Sequence, residues 1–353
     1  MTAARAFAAL RVADVERLCD DAVAVTFDVP SDLGDRYEFT PGQSLTLRRV
    51  VDGHEHRRSY SICAPAGRPL RIGVRAVPDG LFSSWLVDEV AVGDEIEVQP
   101  PSGSFGTGAV TGTRHLCVAA GSGITPVLSI AASVLAEPDA RVTLLYGNRS
   151  TSSVMFAEEL ADLKNTYPSR FQVVHVLSRE QTGAELGSGR LDPEHLRRLL
   201  EAFVPVEALD HVWLCGPHAM VDGARAVLDD LGVPSERVHT ELFYVDEPPP
   251  ELHRAGPVVD GATSAVTVVL DGIAATTALP VGRTILDGAQ ASRTDLPYAC
   301  KGGVCGTCRA RVTHGEVEMQ RNYALEPAEV AAGFVLTCQS FPVTDEVTVD
   351  FDA

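Results

Sequence analysis

Cys300, Cys305 and Cys308 stand close together in the run LPYACKGGVCGTCRARV, and a fourth cysteine, Cys338, follows in VLTCQS. The pattern C-x4-C-x2-C with a distant fourth thiol is the ligand spacing of a plant-type [2Fe-2S] cluster. Four thiolates must reach two irons, so three come from one tight loop and the last from a separate strand. Gly302, Gly303 and Gly306 are expected to take φ > 0 and to turn backbone N–H groups toward sulfide and thiolate. A zinc ribbon presents two C-x2-C knuckles, whereas only Cys305 and Cys308 are so spaced here.

A second set lies near the N-terminus. Arg58, Ser59, Tyr60 and Ser61 put a guanidinium, a ring and two hydroxyls on one expected strand. An arginine fork matches a pyrophosphate, a tyrosine covers a flat ring system, and a hydroxyl donates to a ring nitrogen, which are the needs of a flavin. Alternation sends Arg58 and Tyr60 to one face and Ser59 and Ser61 to the other. An ordinary barrel strand with polar surface groups reads the same way. Gly80, Leu81, Phe82 and Ser83 then precede the helical SSWLVDEV, whose unpaired N–H groups suit phosphate.

A third set, Gly121, Ser122, Gly123, Ile124, Thr125 and Pro126, joins an expected strand to an expected helix. That context suits a dinucleotide pyrophosphate, and Pro126 falls in the first helical turn, where its missing N–H costs nothing. Cys215, Gly216 and Pro217 end another strand at the same sheet edge, where Cys215 is either a wall of the nicotinamide pocket or a core thiol. After the next strand stand Arg149, Ser150, Thr151, Ser152 and Ser153, with no acid before Glu158. Arginine and hydroxyls favour a 2′-phosphate and hence NADPH over NADH, although the same serines would also cap a helix. No HExxH zinc motif and no GxSxG elbow is present. Cys19, Cys63 and Cys117 read as packing residues.

The elements that must hold these groups fall into three blocks. Short apolar runs separated by turns (AVAVTFDV, QSLTLRRV, RSYSIC, LRIGVRAV, DEIEVQP) predict an antiparallel β-barrel over residues 1–110. Strand and helix patterns then alternate, from HLCVAAG to AMVDGARAVLDDLG, and predict a parallel-sheet α/β domain over 111–245. DEPPPELHRAGPVVDGA is rich in proline and reads as a linker over 246–261. Residues 262–353 predict a small α+β fold of the β-grasp kind around the cysteine loop.

At 353 residues the chain exceeds one ordinary core, which agrees with a multidomain reading. A net charge of -19 argues against nucleic acid, since phosphate backbones need Lys and Arg, and favours soluble partners with basic faces. The uncharged stretch from Leu116 to Ala136 is broken by Gly121, Gly123 and Pro126, so no membrane span is expected. Eight cysteines without a secretion signal suggest the reducing cytoplasm.

In this order, the motifs resemble the ferredoxin-NADP reductase superfamily with a fused plant-type ferredoxin. PGQSLTLRR, AAGSGITPVLSI, LPYACKGGVCGTCRARV and NYALEPAEVAAGFVLTCQS are similar, more narrowly, to reductase subunits of the phenylacetyl-CoA epoxidase type. Sister reductases of steroid hydroxylases and ring-hydroxylating dioxygenases, some using NADH, share the coarse motifs. The resemblance implies FAD held by Arg58, Tyr60, Ser61 and the Gly80 to Ser83 loop, with Phe243 or Tyr244 near the ring. It implies NADPH as donor and the oxygenase subunits of a di-iron phenylacetyl-CoA epoxidase as acceptor. On this reading Ser61 bonds the reactive flavin edge, Cys215 shapes the nicotinamide pocket, and electrons pass from NADPH through FAD and the cluster to the oxygenase. A redox sensor without turnover would leave the nicotinamide loop idle, so the enzyme reading is preferred.

Overall fold

The computed structural model describes residues 6–106, 113–243, 263–280 and 282–353. The expected linker, 246–261, and Tyr244 lie outside the described residues. Two compact units emerge, Phe7–Phe243 and the C-terminal part of the chain, described from Thr263 onward.

The first unit begins with six antiparallel strands: β1 (Ala8–Cys19), β2 (Ala22–Asp28), β3 (Ser44–Val51), β4 (His54–Ser61), β5 (Arg71–Arg75) and β6 (Glu95–Val98). Their order is β4-β3-β6-β1-β2-β5, and a bridge between Ile62 and Ile72 joins the two edges into a barrel. Strand β1 carries charges at Arg11, Asp14, Glu16 and Arg17, so its sequence lacks a long apolar run. It pairs with β2 and β6 and inserts Leu10 and Val12 fully into the barrel core. Helix α1 (Ser83–Asp88) is short and packs Leu86 and Val87 against that core.

Five parallel strands follow: β7 (Arg114–Ala120), β8 (Arg141–Asn148), β9 (Phe171–Leu177), β10 (His211–Cys215) and β11 (Val238–Glu241), ordered β11-β10-β7-β8-β9. Helices α2 (Ile124–Ala136), α3 (Ala157–Thr166), α4 (Pro193–Phe203) and α5 (His218–Asp230) connect them. Helix α4 starts cleanly because Asp192 accepts the His195 N–H and Pro193 opens its first turn. The chain reverses its direction of winding between β7 and β10, so a ligand crevice opens beyond their C-terminal ends.

Barrel and sheet share one apolar core. Ala22, Ala24, Cys63 and Phe105 from the barrel pack with Ile124, Val127, Tyr146, Phe156 and Trp213. At this seam a Cβ on Gly73 would come within 2.5 Å of Thr125 and 2.8 Å of the Phe156 ring, so glycine is obligatory for the close approach. Ser129 donates to the Ala64 carbonyl (2.6 Å), and Arg71 reaches Glu159 (2.9 Å), across the same seam.

The C-terminal unit contains β12 (Thr263–Leu270), β13 (Ile273–Pro280), β14 (Arg309–His314), β15 (Val317–Met319), β16 (Phe334–Leu336), β17 (Ser340–Pro342) and β18 (Glu346–Asp350). A mixed sheet, β13-β12-β18-β14-β16, grips helix α6 (Ile285–Ala289), while α7 (Pro327–Ala331) lies outside the expected pattern. Parallel pairing of β12 with β18 makes the grasp. Val266, Val268, Leu286, Cys308, Leu336, Cys338 and Val349 share its core. Among the described residues no helix is long and apolar enough to cross a membrane.

Candidate functional site

Strand β4 alternates as expected. Arg58 is exposed and donates to the Arg57 carbonyl (2.7 Å), Tyr60 is half-buried, and Ser61 is buried. Ser59 is committed elsewhere, pairing with Thr46 across the sheet (3.3 Å). The Tyr60 ring lies 6.1 Å from that of Phe82, and burial raises its hydroxyl pKa. Phe82 in turn meets Trp85 edge to face. A Cβ on Gly80 would lie 2.4 Å from Ser83 Oγ, which accepts the Val77 N–H and closes the turn. Leu81 is left exposed at its tip. An exposed guanidinium, an accessible ring and a turn that only glycine fits make a cradle suited to FAD.

At the sheet edge Gly121 takes φ 55° and leads into α2. A Cβ on Gly123 would fall 2.1 Å from the Cys215 carbonyl oxygen, so the glycine loop lies directly on the end of β10. Thr125 steadies the turn by donating to the Ser122 carbonyl (3.0 Å), and Ile124, Thr125 and Pro126 are buried in the first turn of α2. Gly216 fits between Met220 and Ala120, and Pro217 leads into α5. The two motifs found separately in the sequence therefore form one wall of closely approaching backbone.

The hydroxyl run after β8 is partly engaged. Ser150 and Ser153 cap each other reciprocally, as the capped-turn alternative expects, and Ser150 Oγ lies 3.1 Å from Ser152 Oγ. Thr151 gives both its N–H (2.7 Å) and its hydroxyl (2.9 Å) to the Glu180 carboxylate, which these bonds hold below the ordinary carboxylate range. Arg149 stays 58% exposed, with Asp21 4.0 Å away. Cys19, expected as packing, instead donates to Asp21 (3.2 Å) and accepts from Arg75 (3.5 Å).

Glu241 stands at the seam between barrel and sheet and was not singled out by the sequence. It ends β11, a four-residue strand in the run VHTELFY, and a lone acid entering an apolar run was the available signal. Ser61 Oγ donates to Glu241 Oε2 at 3.0 Å, tying the flavin strand to the nucleotide-binding sheet. Burial pushes the Glu241 carboxyl up to about 8, and the Ser61 bond opposes that rise. Cys215 pairs with Glu241 in the register of β10 and β11. Burial, aided by Glu241, drives its thiol well above its ordinary pKa. Cys215 is thus a neutral, fully buried thiol beside a proton-holding carboxyl, suited to shaping a pocket rather than to attack. Phe243 packs against the same core.

In the second unit the four ligand cysteines converge as two pairs. Cys300 and Cys305 act on each other as neighbouring thiols, as do Cys308 and Cys338, and all four are free. Cys300 is held down to about 5, chiefly by Cys305, and Cys338 is lowered, chiefly by Cys308. Among the described residues, no three His, Cys, Asp or Glu side chains gather around one point as ligands of a single metal ion. Four free thiols from the Cys300–Cys308 loop and the Cys338 segment fit the two-iron cluster that their spacing predicts. The Gly302 N–H points at Cys300 Sγ (3.3 Å), as expected of a loop that supports sulfur. One detail is corrected: Lys301 (φ 52°), with Gly303 (80°) and Gly306 (67°), takes the left-handed conformation expected of Gly302.

Family models match the chain in three places: an oxidoreductase FAD-binding domain at residues 9–106, an oxidoreductase NAD-binding domain at 117–226, and a 2Fe-2S iron-sulfur cluster binding domain at 268–343. The chain is 44% identical to a component protein of the 1,2-phenylacetyl-CoA epoxidase of Escherichia coli, over 98% of each chain. It is 36% identical to the ferredoxin reductase component of 3-ketosteroid-9-alpha-monooxygenase of Rhodococcus rhodochrous, over 97% of this chain and 96% of that protein. The crystal structure of phthalate dioxygenase reductase superposes with a TM-score of 0.60 at 25% identity, covering 98% of both chains.

Proposed function

Since this chain belongs to the ferredoxin-NADP reductase superfamily, in the branch with a fused plant-type [2Fe-2S] domain, we propose that it carries electrons from NADPH to a di-iron phenylacetyl-CoA epoxidase. It is an oxidoreductase, the reductase component of an oxygenase system. Bound FAD supplies acceptance of a hydride and release of single electrons, and the cluster supplies a one-electron exit. The remaining chemistry belongs to placement.

Arg58 is assigned to the FAD pyrophosphate, with Tyr60 and the Gly80 to Ser83 turn alongside. Gly121, Gly123 and Gly216 admit the nicotinamide dinucleotide close to backbone N–H groups. Ser61 presents a hydroxyl whose proton is directed to Glu241 at 3.0 Å, so the pair can hold or pass a proton at the seam between the two cofactor sites. Cys215 keeps that wall apolar. Arg149 is assigned to the 2′-phosphate, in keeping with its exposed guanidinium. Eight free thiols agree with a reducing cytoplasm.

End-to-end likeness to a phenylacetyl-CoA epoxidase component carries the choice of acceptor. Anaerobic mixing with NADPH is expected to bleach the flavin and then the cluster. Adding the oxygenase subunits of phenylacetyl-CoA epoxidase with phenylacetyl-CoA and dioxygen is then expected to yield epoxide, one oxygen atom entering the product and the other leaving as water. Turnover with a steroid hydroxylase oxygenase instead would replace the acceptor, and silence toward both nicotinamides would replace the enzyme reading with a sensor. Arg149→Ala should lower kcat/KM for NADPH about tenfold or more, the scale of one charge-assisted bond, while sparing NADH. An unchanged preference would remove Arg149 from the 2′-phosphate site.

A further inference from the structure

Gln339, next to the fourth cysteine, is fully buried. Its side-chain Nε2 lies 2.9 Å from the Lys301 carbonyl, 2.9 Å from the Cys338 carbonyl and 3.4 Å from Cys338 Sγ. Two N–H groups therefore meet three acceptors, one of them the ligand sulfur. The orientation of the amide follows from chemistry: a flip would put Oε1 against two carbonyl oxygens. In the placement described, Oε1 is buried with no partner. Leaving a buried acceptor unsatisfied costs on the order of 1–3 kcal/mol, so the fold retains this side chain at a loss that its donor end must offset.

The surroundings are shaped to admit it. A Cβ on Gly303 would come within 3.0 Å of Gln339 Cγ, so the cysteine loop stays bare where the amide passes. The Lys301 carbonyl that Gln339 holds belongs to a non-glycine residue in the left-handed region, φ 52°. Gln339 thus pins the strained turn after Cys300 to the segment carrying Cys338, and it aims an N–H at sulfur.

We propose that Gln339 is a positioning residue that sets the reduction potential of the cluster by donating to the Cys338 sulfur and anchoring the Lys301 turn. This rests on the cluster reading of the four cysteines. Donors to ligand sulfur stabilise the more negative, reduced centre and raise its potential. Removing the donor should lower that potential, a tenfold change in the one-electron equilibrium reading as about 59 mV.

The test uses the full chain. Wild type, Gln339→Leu and Gln339→Glu are compared by iron and sulfide content, by EPR of the reduced cluster and by a spectroelectrochemical titration. Wild type loaded with iron and sulfide secures the cluster reading independently. At equal loading, both variants should titrate at lower potential, with flavin reduction by NADPH unchanged and cluster reduction slowed. An unchanged potential in a loaded variant would overturn the proposal. In case neither variant loads, wild type with 15N-labelled glutamine side chains provides the decision: the reduced cluster should show a 15N hyperfine coupling from the amide, and its absence overturns the proposal.

Discussion

Replacing Glu241 with glutamine isolates the energetics of the buried carboxyl. Its folded value is about 8 against an ordinary 4.5. Below the ordinary value, folded and unfolded chains both hold the proton, so pH has no lever. Between the two values the unfolded chain sheds it while the folded chain keeps it, and folding loses about 1.4 kcal/mol per pH unit. Carried across the whole window, this amounts to about 5 kcal/mol. Glu241 is densely surrounded but keeps some solvent-facing surface, and screening there reduces the figure to about 2–3 kcal/mol. Glutamine fills the same space without titrating. Guanidinium unfolding at pH 5, 6, 7 and 8, followed by tryptophan fluorescence, reads the unit concerned, because both tryptophans, Trp85 and Trp213, lie within Phe7–Phe243. Wild type should lose stability relative to E241Q steadily as pH rises, by about 2–3 kcal/mol at pH 8. A difference that stays constant across that range refutes a buried, protonated Glu241.

Ser61→Ala removes the one bond that lowers the Glu241 pKa, so the same titrations should place the end of the window about one pH unit higher, and stopped-flow flavin reduction should slow. Gly123→Ala forces a methyl toward the Cys215 carbonyl, 2.1 Å away; a loss of about 1–3 kcal/mol in unfolding experiments and a raised KM for the nicotinamide are expected. Asp345 and Glu346 are exposed on the cluster unit, so added salt should slow reduction of the oxygenase while leaving ferricyanide reduction nearly unchanged; equal sensitivity would discard electrostatic steering.

What was legible in the sequence was whatever rests on spacing along the chain. The cysteine pattern, the glycine loop between strand and helix, and the alternation of β4 each depend on neighbours in sequence. Contacts between distant segments were not legible. Strand β1 is amphipathic with charges outward, and it becomes a strand only because β2 and β6 flank it. Glu241 acquires its character from burial by segments distant in sequence, and it meets Ser61, 180 residues away. Ser150 and Ser153 look alike in the sequence as phosphate donors and as caps, and only the fold shows their reciprocal bonding. The left-handed turn falls on Lys301 rather than Gly302, and the Lys301 carbonyl is held by the amide of Gln339, a contact that spacing does not reveal.

The absence of a side chain at Gly73 has a mechanical consequence. With less than van der Waals clearance for even one methyl between β5 and the Thr125–Phe156 pair, any side chain at this position would have to displace one of the two. The distance from the barrel to the first turn of α2 is thus set by a missing side chain, and a substitution that wedges this seam would shift the two halves of the first unit apart without replacing any residue of the candidate site.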